Sequence, residues 1–98
     1  MTIFVLECHD KSDGAALRAE HLTAHRAYLS EHASVVKLAG PLLDDAGRSI
    51  GSLIFLDCVS LDQARTFGAQ DPFARVGLFS SVTVREFQPE IGFDIKTP

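Results

Sequence analysis

Apolar and β-branched residues run almost unbroken through Thr2–Cys8, then yield at Lys11–Gly14 to a stretch rich in Ala, Leu, Glu and Arg, Gly14–His32. The first run predicts a strand and the second a long helix, with Ser12 or Asp13 in position to cap it. Ser34–Ala39 reads as a second strand halted by Gly40–Pro41. Leu42–Ser49, carrying Asp44-Asp45-Ala46-Gly47, reads as a hairpin loop. Ile50–Val59 is a third strand whose nearly continuous apolar character calls for cover on both faces. Ser60-Leu61-Asp62-Gln63 is a capping-box pattern opening a second helix that runs to about Ala69. Asp71-Pro72-Phe73 starts a further short turn, because proline suits a first helical position. Leu78–Phe87 is the fourth strand, ended by Pro89, and residues 89–98 form a tail without an assignable element.

The order β-α-β-β-α-β with antiparallel pairing predicts an α+β sandwich of the ferredoxin-like kind, with helices on one face of the sheet. The other face keeps apolar residues: in the last strand Val82 and Val84 alternate with Phe79 and Phe87. One helix layer cannot bury both sets. A second copy packed sheet to sheet is the simplest cover, so a homodimer is expected.

Ninety-eight residues make a single domain, 1–98, with its core in about residues 2–88. A formal charge of −4 without a Lys/Arg cluster argues against nucleic acid as the partner. The longest apolar runs, such as Ile3–Leu6 and Leu53–Leu56, are too short to span a membrane, and no leader segment is visible. A cytoplasmic protein is therefore expected. Cys8 and Cys58 sit within strand patterns, at a spacing that suits neither a metal site nor a redox pair, and read as small buried hydrophobes.

The long helix carries the candidate chemistry. At 100° per residue, Arg18, His21, His25, Tyr28 and His32 lie at about +60°, 0°, +40°, −20° and +20° relative to His21. Leu22, Leu29, Ala15, Ala19 and Ala33 form the apolar face beside them, at about +80° to +160°. The polar stripe thus flanks the core face, where side chains can look into a pocket beside the sheet. His21-x-x-x-His25 has the spacing of metal ligands, but His32 is nearly two turns beyond His25 and no H-E-x-x-H glutamate is present. No metal and no cofactor are expected.

Arg18-Ala-Glu-His21-Leu22 resembles the R-x-x-H-L signature of YciI-like proteins. Ala39-Gly40-Pro41, Gly51-Ser52, Ala69-Gln70-Asp71-Pro72-Phe73 and Gly77-Leu78-Phe79 follow in matching order over roughly residues 2–88. The resemblance implies a dimeric α+β barrel of ferredoxin-like subunits. It also implies a pocket centred on a histidine and an aspartate, which map onto His21 and Asp71. Related barrels include muconolactone isomerases and a dehydrochlorinase acting on a chlorinated hydroxyquinol.

A carboxylate hydrogen-bonded to one imidazole nitrogen fixes the tautomer and leaves the other nitrogen to exchange a proton with substrate. That chemistry suits a small lyase or isomerase acting on a compact anionic or aromatic molecule. His21 would be the acid/base, Asp71 its orienting partner and Arg18, one turn before His21, the substrate anchor. His25 and Tyr28 would extend the pocket wall, and His32 would sit in the last turn, where a cation suits the helix dipole. Two other readings compete. The same pocket could hold a small acid without turnover, as a ligand-binding or accessory domain. Related dimeric barrels also admit a haem protein. Asp71 could serve only as a helix cap, His21 only as a core-edge side chain, and Arg18 only in a salt bridge on the helix surface.

Overall fold

Four strands and three helices follow one another in a computed structural model that describes residues 2–92. They are β1 (Ile3–Asp10), α1 (Ala15–Glu31), β2 (Val36–Leu43), β3 (Ser49–Asp57), α2 (Leu61–Gln70), α3 (Pro72–Arg75) and β4 (Phe79–Phe87). The strands form one antiparallel sheet in the order β2-β3-β1-β4, the ferredoxin-like arrangement anticipated from the element order. Phe4, Leu6 and Cys8 of β1 point with Ile54 and Leu56 of β3 into a core roofed by Ala64 and Phe67 of α2. Gly68 lets α2 approach the sheet closely, since a Cβ there would press to 2.9 Å from Leu6 Cδ2.

Local chemistry explains the element boundaries. Ser60 caps α2 by accepting from Gln63 N, while Gln63 Oε1 accepts from Val59 N, one residue before the cap. Neither Ser12 nor Asp13 caps α1. Gly14 holds the N-cap without a side-chain bond, in a turn closed by Gly14 N–H to Lys11 O. A Cβ at Gly14 would lie 2.7 Å from Leu78 Cδ1, so packing selects glycine over a capping side chain.

Three strand predictions need correction. β1 runs two residues beyond Cys8, to Asp10. β2 passes through Gly40–Pro41 and ends at Leu43, because it is an edge strand, where the missing proline N–H is tolerated. The loop shrinks accordingly to a turn in which Asp44 Oδ1 accepts from Ala46 N and Arg48 N, with Gly47 at φ 83°. In β4, a register shift opposite His9/Asp10 turns Phe79 to the same side as Val82 and Val84. Phe79 and Val84 then pack against the core, and Phe87 faces the other way against Phe55, ring centroids 5.3 Å apart. The uncovered sheet face is still apolar, built from Val5, Leu38, Leu42, Leu53, Phe55 and Phe87. The tail assigned to 89–98 lies outside the described residues from 93 onward. No helix among the described residues is long and apolar enough to cross a membrane.

Candidate active site

Two turns of α1 and the start of α3 supply the candidate site. α1 directs Leu22 and Leu29 toward the sheet, and on the helical wheel Arg18 and His25 lie closer to that direction than His21, Tyr28 or His32 do. Arg18 and His25 are accordingly the two buried residues of α1, at 6% exposure each. α3 begins against this stretch with Phe73 fully buried. The His25 ring stacks on Phe73, centroids 4.1 Å apart and planes at 16°, and the Arg18 guanidinium lies over the same ring at 4.6 Å.

Asp71, 1% exposed, does two jobs at the head of α3. Its Oδ1 accepts from Phe73 N at 2.9 Å and so caps the helix. The same carboxylate spans His25 Nδ1, with both oxygens at 2.9 Å. A carboxylate only accepts, so Nδ1 carries the proton. In the neutral ring the lone pair then lies on Nε2. That nitrogen has no partner among the described residues, where no fully buried side-chain nitrogen or oxygen is left unpaired, so it keeps some exposed surface.

The second arm starts at Asp10. Arg18 Nε donates to Asp10 Oδ2 at 2.6 Å, and Nη2 donates to Asp10 Oδ1 and to Ser52 Oγ, both at 3.0 Å. Asp10 and Arg18 side chains are 5% and 8% exposed, a buried ion pair. Arg18 Nη1 has no partner among the described residues and by the same argument stays accessible. Both arms end at a cavity of about 210 Å³ between α1 and the β2–β3 edge. Arg18, His25, Ser52 and the Ala39-Gly40-Pro41 segment line it, and Arg26 stands exposed at its rim. Cys8 lies beneath, and burial, reinforced by the charges of Asp71 and Asp10, pushes its thiol from 9.0 up to about 12. At neutral pH it is a protonated hydrophobe and no nucleophile.

This placement redistributes the residues anticipated from the sequence. His21 does not meet Asp71: it lies beside Glu20, Nε2 to Oε2 2.9 Å, with its side chain 28% exposed. The imidazole–carboxylate pairing falls on His25, the residue 40° nearer the core on the same stripe. Arg18 reaches the cavity as expected, but its charge is already matched by Asp10. Tyr28 leaves the site. Its hydroxyl donates to Phe67 O at 2.7 Å, and it lines a different cavity with His32, Cys58 and Gln63. Burial and the charge of Asp71 push that phenol from 10.0 up to about 12. His32 occupies the α1 C-cap and donates from Nδ1 to Tyr28 O at 2.8 Å. Asp10 carries no signal in the sequence, and Ser52 enters there only within the Gly51-Ser52 landmark. Among the described residues no group of three or more His, Cys, Asp or Glu side chains is gathered to hold a metal.

Comparison with known proteins agrees with this architecture. Residues 2–88 match the model of the YCII-related domain. An uncharacterised protein of Haemophilus influenzae is 27% identical over 77 residues, covering 74% of this chain and 79% of its own. Among solved structures, the 5-chloro-2-hydroxyhydroquinone dehydrochlorinase of Burkholderia phenoliruptrix AC1100, in complex with 2,5-dihydroxybenzoquinone, superposes with a TM-score of 0.81. It is 26% identical, over 88% of this chain and 93% of that one. A NIPSNAP family protein from Agrobacterium tumefaciens shares the fold alone, with a TM-score of 0.52 at 18% identity over 92% of this chain and 94% of that one.

Proposed function

The chain belongs to the YCII-related domain family, and from that premise we propose that it is a small lyase or isomerase of the cytoplasm working by acid/base catalysis. His25 is the proton acceptor, Asp71 orients it, and Arg18 with Ser52 holds the substrate. The observation that carries the reading is the buried His25–Asp71 pair, whose imidazole lines a cavity of about 210 Å³. A carboxylate-oriented imidazole with its free nitrogen in a small, partly apolar hollow is suited to removing a proton next to a carbonyl or from a phenol. Proton abstraction needs no nucleophile, consistent with the protonated state of the Cys8 thiol. The similarity to a dehydrochlorinase bound to a dihydroxybenzoquinone favours a six-membered ring substrate carrying oxygen substituents. A cavity of this size matches a single substituted ring.

The uncovered apolar sheet face supports a homodimer closed sheet to sheet, giving a barrel of two subunits. Phe87 and Leu38, 41% and 42% exposed, would be covered by the partner. The expected result in sedimentation is twice the chain's mass at micromolar concentration. A monomer that persists there contradicts the pairing.

The activity is tested by incubating the purified protein in D2O with small hydroquinones and 2-hydroxyquinones, following exchange of ring protons by NMR, and with 5-chloro-2-hydroxyhydroquinone, following chloride release. Exchange or chloride release well above the buffer rate is expected. Tyr28→Phe should keep it within about twofold, because Tyr28 does not line this cavity. If ligands bind but neither reaction rises above buffer, the protein is a binding module.

A further inference from the structure

Resting on the acid/base reading, we propose that Ser52 and Arg18 Nη1 form an oxyanion-binding pair, and that the cavity therefore takes a substrate that is neutral when bound and acquires its negative charge inside. Two buried carboxylates, Asp10 and Asp71, stand against one buried guanidinium, Arg18, and His25 in its role as base adds no charge until it takes a proton. Arg26 at the rim is exposed and hydrated. A preformed carboxylate would bring a third negative charge into a space holding one buried positive charge, at a large desolvation cost.

A phenol or an enolisable ketone avoids that cost. When His25 Nε2 takes the proton from the O–H or C–H, the bonding electron pair stays on the substrate and its oxygen becomes anionic. The imidazolium formed in the same step balances it, so the total charge of the cavity is unchanged. Two donors are free to receive that oxygen. Ser52, 2% exposed, accepts from Arg18 Nη2, and its own proton has no acceptor among the described residues. Arg18 Nη1 is likewise unengaged among them. Asp10 fixes the guanidinium plane through two hydrogen bonds, so neither donor must reorganise as charge develops. Arg18 and Ser52 of one arm and His25 of the other line one hollow: the first arm stabilises the oxygen and the second receives the proton.

The probe is 4-nitrophenol, whose phenolate is yellow and whose ionisation is read by absorbance while bound. In the wild-type protein the bound probe should show phenolate absorbance about one pH unit below the free value, a shift in apparent pKa in which its proton passes to His25 and the total charge of the cavity does not change. Ser52→Ala should return most of that shift, and Ser52→Thr, which keeps the hydroxyl, should preserve it. The thermal midpoint of each variant shows whether it is folded. At pH 8, phenol should bind at least about tenfold more tightly than benzoate. An unshifted or raised pKa, an Ala variant indistinguishable from wild type, or benzoate binding as tightly as phenol overturns the proposal. The shift does not depend on turnover. A protein that lowers the probe's pKa without catalysing exchange keeps this inference and loses the enzyme reading, and the reverse result loses only the inference.

Discussion

Replacing Asp71 by Asn is expected to lower turnover by roughly 10²–10⁴-fold while ligand affinity changes little. The substitution is nearly isosteric, and Asn Oδ1 can still accept from Phe73 N, so the α3 cap and the fold should persist. What changes is the proton on His25. The amide NH2 replaces one of the two acceptors beside Nδ1 with a donor, which favours a ring that accepts there and carries its hydrogen on Nε2 instead. The nitrogen facing the cavity then no longer has a lone pair. His25→Gln removes the base outright and should cause at least as large a loss. The measurement is kcat and the dissociation constant side by side, with phenol as the binding probe. Parallel losses in kcat and affinity would indicate simple binding.

The second large effect concerns stability. Asp10→Asn removes the countercharge of a guanidinium that is 6% exposed and leaves that cation unpaired against the sheet. Breaking one side of a buried ion pair costs about 3–5 kcal/mol, a large share of what a domain of this size has. Arg18→Met keeps most of the volume and the contact with Phe73 but strands Asp10, and should cost a similar amount. The double variant Asp10→Asn/Arg18→Met leaves neither charge behind and should recover much of the loss, a coupling of several kcal/mol that denaturant unfolding can resolve. If the two single variants are each within about 1 kcal/mol of wild type, the pair is more hydrated than its burial indicates.

The stripe of polar side chains beside an apolar helix face could be read in the sequence, and so could the order of elements. The identity of the histidine could not. His21 and His25 differ by only 40° around the helix, and the choice between them is made by Phe73 and Asp71, whose height along α1 is set by the tertiary packing of α3. The motif likeness pointed to His21, yet burial draws in Arg18 and His25, which lie on the side of Leu22 and Leu29.

Asp10 was missed for a related reason. An aspartate followed by Lys-Ser-Asp-Gly reads as the start of a loop, but the strand continues because Arg18 supplies a partner eight residues away. Ser52 is one small hydroxyl in an apolar strand, and its meaning appears only when Arg18 reaches it across 34 residues of chain. Tyr28 shares the stripe, but its long side chain reaches Phe67 O instead of the cavity. Pro41 shows the converse: its local signal to stop a strand was sound, and its position on a sheet edge made it harmless.

The claim on which all of this turns is that His25 presents a bare Nε2 to the cavity because Asp71 holds the proton on Nδ1. Nitrogen-15 NMR of the histidine side chains at pH 8 reads that tautomer directly. A protonated Nδ1 and an unprotonated Nε2 are expected for His25, with the Nε2 resonance moving when phenol is added. A His25 that carries its hydrogen on Nε2, or whose ring nitrogens average as in a solvated imidazole, contradicts it.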